Sequence, residues 1–198
     1  MAREIKVPSV GEVKEALADL ERLLFECARK IIGYVIHYAM KHSEFTLSLA
    51  KIGDAAVIAN MSRQLIEFDL PWRWTEQRVA ASIRAPHTNV VVARIDGGVI
   101  GFAIMKYGER VAHLNLFAVA PDYRRARVGR QLLQWLEKCA TVAGQVAISL
   151  EVRATNTGAQ RFYQSMGYQI LVRLPGYYQG NEAALRMGRR LTARPLKN

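Results

Sequence analysis

Apolar residues recur near the start of the chain at Val13, Leu17, Leu20, Leu24, Cys27, Ile31, Tyr34 and Tyr38. The steps alternate between four and three, the repeat of a single apolar stripe on a helix. Ser9 and Glu12 form a capping-box pattern ahead of it, with Pro8 just outside. The pattern predicts one or two helices over roughly residues 10–42, packed on their own domain or against a second copy of the chain.

From Phe45 the pattern changes to alternating short strands and amphipathic helices. Phe45 to Lys51 predicts a strand. Asp54 stands where it can cap a helix to about Ile66, and Thr75 where it can cap one through about Arg84. Asn89 to Ile95 and Val99 to Lys106 read as a hairpin around Asp96-Gly97-Gly98. His113 to Val119 is the next strand, and Pro121 and Asp122 end it. A helix from Val128 to Val142 is closed by Gly144. After the strand Val146 to Val152, Asn156 caps a helix that Gly167 closes. Tyr168 to Leu174 and Ala183 to Arg190 are the last strands. The order βααβββαβαββ predicts an α/β fold, a mixed central sheet flanked by helices on both faces. The chain thus divides into an N-terminal helical extension, residues 1–44, and a domain over residues 45–198.

Composition narrows the class. Of 198 residues, 51% are hydrophobic and 23% charged, the balance of a soluble globular protein. The densest apolar stretch, Ile31 to Met40, falls short of the ~20 residues a membrane span needs. The opening MAREIKVPS lacks the apolar core of a signal peptide, so a cytoplasmic protein without a membrane partner is expected. Cys27 and Cys139 show no CxxC or Cys/His spacing, so neither a disulfide nor a metal site is expected.

The net charge of +11 is unevenly spread. Residues 1–44 hold seven Lys/Arg and seven Asp/Glu, whereas residues 122–198 hold thirteen against four. Such a field suits an anionic ligand: a nucleotide cofactor, a nucleic acid or an acidic partner. An arginine-rich solvated surface is the alternative.

The segment Val119 to Leu133 joins a strand end to a basic loop and then to a helix start. The first N–H groups of a helix are unpaired and carry partial positive charge. With Arg124, Arg125, Arg127 and Arg130 they would form a pyrophosphate cradle, and Gly129 would let a ligand approach the backbone. In the segment Ser149 to Tyr168, Ser149, Glu151 and Arg153 share one strand face, and Ile148, Leu150 and Val152 the other. Glu151 is a carboxylate near the carboxyl end of a strand, where open α/β sheets place ligands. An ion pair with Arg153 is the competing reading. Asn156 reads first as a helix cap and second as a ligand contact. On spacing alone, Tyr163 reads first as a core residue and second as a functional one.

Both segments resemble the GNAT superfamily of acetyl-CoA-dependent N-acetyltransferases, over about Phe45 to Leu191. Arg124 and Gly129 match the ends of that family's loop motif, and Arg127 stands where its central glycine is usual. Within the superfamily the likeness is greatest to the ribosomal-protein-alanine N-acetyltransferases. It rests on Leu150-Glu151-Val152-Arg153, Asn156 and Tyr163, on Tyr177-Tyr178 in a loop before the last strand, and on Pro71-Trp72 in a substrate loop. Arg73, Trp74 and the N-terminal extension have no counterpart there, and Ala183 replaces the usual acid after Glu182.

The resemblance implies a GNAT fold, acetyl-CoA as donor, no metal, and a primary amine as acceptor. It implies Glu151 as general base, acting through a water, and Tyr163 as general acid. It implies that the backbone of Phe117, Ala118 and Val119 holds pantetheine. It also implies that Arg124, Arg125, Ala126, Arg127, Val128, Gly129 and Arg130 hold the pyrophosphate, with Asn156 adjoining. An α-amine of pKa near 8 is about 10% neutral at pH 7, against roughly 0.04% for a lysine near 10.4, so a weak carboxylate base favours a protein N-terminus. A small-molecule amine, an aminoacyl-tRNA acceptor and a non-catalytic acyl-CoA-binding module are the other readings. Acetyl-CoA, the amine acceptor and a second copy of the chain are the partners expected.

Overall fold

The computed structural model describes residues 45–191, so the predicted helical stripe of residues 10–42, its dimer reading and Cys27 lie outside the described residues. The described chain runs β1 (Thr46–Leu49), α1 (Ala55–Leu65), α2 (Glu76–Arg84), β2 (Thr88–Ile95), β3 (Gly98–Tyr107), β4 (Val111–Val119), α3 (Val128–Val142), β5 (Ala147–Arg153), α4 (Thr157–Ser165), β6 (Gln169–Tyr178) and β7 (Glu182–Arg190). The element order is the one the hydrophobic pattern predicts, and the bounds of α3 agree with it to the residue. Among the described residues, no helix is long and apolar enough to cross a membrane.

The strands form one sheet in the order β1-β2-β3-β4-β5-β7-β6. Only β4 and β5 run parallel, because α3 carries the chain back along the sheet between them. Alternate strand residues face opposite layers. Val90, Val92, Phe102 and Ile104 meet Ala55, Ile58 and Ala59 of α1 and Val79 of α2. Val91, Ala93, Ala103 and Met105 meet Leu132, Leu133 and Leu136 of α3. Each such fully buried Leu or Ile contributes about 1.5–3 kcal/mol.

One irregularity reorganises the sheet. Ile104 of β3 faces Leu116 of β4 while the next residue, Met105, faces Leu114, so Asn115 is an extra residue, a β-bulge. The buried faces confirm it. Ala112 and Leu114 join the α3 layer, whereas Leu116 and Ala118 join the α1–α2 layer. Unbroken alternation would have kept all four on one side.

Three local expectations are corrected. Asp54 sits in a 3-10 turn, where its carboxylate accepts from the Lys51 N–H at 2.6 Å and pairs with Arg94, so it does not cap α1. Thr75 precedes α2 without a capping hydrogen bond from its side chain. Tyr177 and Tyr178 belong to β6, which runs four residues past Leu174, and they are not in a loop. Gly176 at φ 63° and the turn of Gln179 and Gly180, at φ 55° and 80°, bend this hairpin back to Glu182.

Candidate functional site

β4 and β5 pair from Val111 and Ala147 as far as Leu114 and Leu150, and no further. The bulge at Asn115 lies immediately beyond the last pair and bends β4 away from its neighbour. The carboxyl ends of the two strands therefore diverge, and two cavities open there. One, about 490 Å³, is lined by residues including His113, Asn115, Glu151, Tyr178 and the α1–α2 loop. The other, about 140 Å³, is lined by residues including Phe117, Glu151, Asn156, Tyr163 and Tyr178. Glu151, Asn115 and Tyr178 border both.

Glu151 does not pair with Arg153. One of its carboxylate oxygens lies 3.0 Å from His113 Nε2, and the other accepts from Arg186 Nε at 2.7 Å. Alternation explains the meeting. Glu151 projects from the face of β5 opposite Leu150, and His113 from the face of β4 opposite Leu114, so both face the α1–α2 side. Arg186 is the β7 register partner of Glu151. The His113 and Arg186 hydrogen bonds outweigh burial and hold the Glu151 carboxyl below its ordinary value of 4.5. His113 Nδ1 lies 3.0 Å from Ser149 Oγ, which fixes the ring from its other side.

Arg153 instead ties the α1–α2 loop to the sheet. It pairs with Asp69 and Glu182 and donates to the Ile66 carbonyl at 3.1 Å. That loop is braced from within by Glu67, which is buried. Glu67 accepts from the Arg73 N–H at 2.9 Å, the Trp74 N–H at 3.3 Å and the Ser62 hydroxyl at 3.1 Å. Pro71 and Trp74 line the larger cavity from this loop, while Trp72 stacks under Arg63.

Tyr163 is a core residue that also borders a cavity. Its ring belongs to an aromatic cluster with Phe117, Phe162 and Tyr168, yet it also lines the smaller cavity. Burial, with the neighbouring Tyr178 second, pushes its pKa well up, so the hydroxyl stays protonated at neutral pH. Asn156 is the cap expected: its side chain accepts from the Ala159 N–H at 3.0 Å, and it borders the same cavity.

The basic loop reaches α3 through two left-handed residues, Arg125 at φ 66° and Arg127 at φ 64°. Arg127 therefore adopts the conformation a glycine would take without strain. It precedes the helix without a capping side chain, which leaves the first N–H groups of α3 unpaired within the helix. Arg124 Nε donates to the Val119 carbonyl at 3.2 Å and so binds the loop to the end of β4. Gly129 is not left-handed; a Cβ there would sit 3.5 Å from Phe117 and Phe162, an ordinary contact. The protein's own packing around residue 129 would accommodate a Cβ. Arg125 and Arg130 are exposed beside it, and Ala126 and Val128 pack inward.

The structure thus brings Glu151, Tyr163, Asn156 and Phe117 to one opening and places the basic loop at the start of α3. His113, Ser149 and Arg186 went unnoticed in the sequence as site residues. Each falls on a correctly predicted strand; Ser149 shares the strand face of Glu151, but only the inter-strand register puts His113 and Arg186 beside it.

Residues 59–168 match the family described as acetyltransferase (GNAT) family. The chain is 38% identical over 97 residues to an uncharacterized N-acetyltransferase of Methanocaldococcus jannaschii, covering 48% of this chain and 62% of the relative. It is 35% identical over 81 residues to the N-terminal acetyltransferase B complex catalytic subunit NAA20 of Arabidopsis thaliana, covering 40% and 47%. It therefore spans less than two thirds of either of these relatives. It is 32% identical over 117 residues to the ribosomal protein bS18-alanine N-acetyltransferase of Escherichia coli, covering 58% of this chain and 78% of that one. A crystal structure of the ribosomal-protein-S18-alanine N-acetyltransferase from that organism superposes with a TM-score of 0.67 at 26% identity, covering 78% and 99%.

Proposed function

The chain belongs to the acetyltransferase (GNAT) family, and on that footing we propose that it transfers an acetyl group from acetyl-CoA to the α-amine of a protein N-terminus. The observation that carries the reading is the convergence of Glu151 and Tyr163, from successive elements, on one cavity between the diverging strands. Acetyl-CoA supplies an activated thioester and a pyrophosphate. The residues present suit such a donor. The unpaired N–H groups at the start of α3, with Arg124, Arg125, Arg127 and Arg130, offer donors and positive charge for the pyrophosphate. Phe117, Ala118 and Val119 lie past the last β4–β5 pair, so their strand edge is open on the β5 side for an amide-bearing arm.

Glu151 takes the proton of the incoming ammonium through a water, its carboxylate kept ionised by His113 and Arg186. Tyr163, kept protonated by burial, donates to the departing sulfur. A carboxylate held below its ordinary pKa is a weak base, which suits an α-amine better than a lysine side chain. Two relatives support the acceptor class, one named for N-terminal acetylation and one for acetylating a ribosomal-protein alanine. The test is CoA release from acetyl-CoA with short peptides and with small amines, the product read by mass spectrometry. Acetylation on the peptide α-nitrogen is expected. Turnover of small amines alone would replace the acceptor, and no turnover with any amine would remove the reading.

A further inference from the structure

Two walls flank the opening between the diverging strands: the α1–α2 loop and the β6–β7 hairpin. Ile66 of the loop and Tyr178 of the hairpin border both cavities, so the separation of these walls sets how the larger cavity opens into the smaller. One side chain, Arg153 of β5, holds both walls. On the loop side its guanidinium meets both carboxylate oxygens of Asp69 and donates to the Ile66 carbonyl at 3.1 Å. On the hairpin side it donates to a Glu182 carboxylate oxygen at 3.0 Å. Its central carbon lies over the Phe68 ring at 5.1 Å and the Tyr178 ring at 5.4 Å, one aromatic from each wall. A planar fork with five N–H donors serves all these partners at once, which a lysine ammonium cannot do.

The two carboxylates on Arg153 are not equivalent. Glu182 belongs to β7 and also accepts from the Thr155 hydroxyl, so it stays with the sheet. Asp69 is 51% exposed and makes no other ion pair among the described residues, so it is the arm that can let go. The loop that carries it is braced from within by Glu67, and Pro71 and Trp74 of the larger cavity therefore move with Asp69. We infer that Arg153 is a positioning residue: it holds the α1–α2 loop against the β6–β7 hairpin at the separation that receives the acceptor, and its pair with Asp69 is the releasable link. This rests on the transfer proposed above, with the acceptor entering by the larger cavity. A wall fixed beforehand does not have to be ordered by the incoming acceptor. Once the link is cut, the acceptor's own contacts must order the loop. The cost then falls on acceptor KM, and kcat recovers when the acceptor saturates the enzyme.

The test is steady-state kinetics of the full chain with the peptide or small amine that the wild type turns over fastest, so it does not depend on which acceptor class prevails. Asp69→Asn should raise acceptor KM at least about threefold and leave the thermal midpoint nearly unchanged, because a pair with an exposed partner contributes little to stability. Its kcat and its KM for acetyl-CoA should stay within about twofold of wild type, the pattern of lost acceptor binding alone. Arg153→Lys keeps the charge, loses the fork, and should raise acceptor KM at least as much. The D69N/R153K double variant should be no worse than R153K, since both changes cut one link. If melting shows R153K unfolded, D69N decides alone. An acceptor KM in D69N close to wild type would overturn the positioning role and leave acetyl transfer standing. So would independent, multiplying effects of the two changes, or an equal rise in the KM for acetyl-CoA, which would mark a general loosening. No turnover of any amine by the wild type would remove the transfer reading and this role with it.

Discussion

His113 Nε2 lies 3.0 Å from a carboxylate oxygen of Glu151, although the two are 38 positions apart in the chain and belong to neighbouring strands. This contact is the first cause of the lowered Glu151 pKa. Glu151 works as a base only when ionised, so activity falls as pH drops through its pKa. His113→Ala removes one stabilising partner and leaves Arg186, so the pKa should rise towards 4.5. The acidic limb of kcat/KM should then move to higher pH in the variant. A limb at the wild-type position would assign it to another group.

The same contact has a stability consequence. The folded-state pKa of Glu151 lies below its unfolded value, so the stabilisation is fully present above the unfolded value near 4.5 and fades as pH falls through the folded pKa. Glu151→Gln cannot titrate, and its denaturation midpoint should lose that part of the acid dependence. Parallel acid-unfolding curves for the two proteins would show that the pair adds nothing to stability.

Tyr163→Phe keeps the ring in its cluster with Phe117, Phe162 and Tyr168 and removes only the hydroxyl. A general acid is worth about 10²–10⁴ in rate. The variant should lose kcat by roughly that factor with little change in cofactor affinity. Glu151→Gln should slow turnover likewise. Thermal midpoint and kcat measured on the same preparations separate catalysis from packing: activity within about threefold of wild type for both variants would reduce both residues to structural ones.

At the basic loop, Arg124→Glu with Arg130→Glu should weaken acetyl-CoA binding at least about tenfold, near 1.4 kcal/mol. Wild-type affinity should itself fall as salt rises. Calorimetry measures both. An unchanged Kd would move the phosphate site elsewhere.

Arg127 isolates a backbone effect. At φ 64° a side chain pays about 1–2 kcal/mol, and a β-branched one pays most. Arg127→Gly should hold or raise the thermal midpoint while weakening cofactor binding modestly through the lost charge. Arg127→Val loses the same charge and should be less stable than the glycine variant. Equal midpoints for Gly and Val would show that the loop relaxes out of the left-handed region.

The sequence by itself determined the element order, the boundaries of α3 and the two-layer burial, because these follow from local periodicity and from turn residues. Asn156 was legible as a cap because capping is a contact within one turn. The strand face carrying Glu151 was legible too, since alternation is local. What only the tertiary structure decided is who meets whom across strands. Arg153 sits two residues from Glu151, the nearest partner in the chain, yet it is drawn to Asp69 and Glu182, while Glu151 takes His113 and Arg186. Those choices depend on sheet order and register. Beyond the last β4–β5 pair, the extra residue at Asn115 shifts every β4 side chain after it to the opposite face and parts the strands where the site lies. A bulge of one residue leaves almost no mark on hydrophobic alternation read along the chain. Arg127 shows the same limit from the other side, since its left-handed backbone is imposed by the strand end and helix start on either side of it, whatever its own preference.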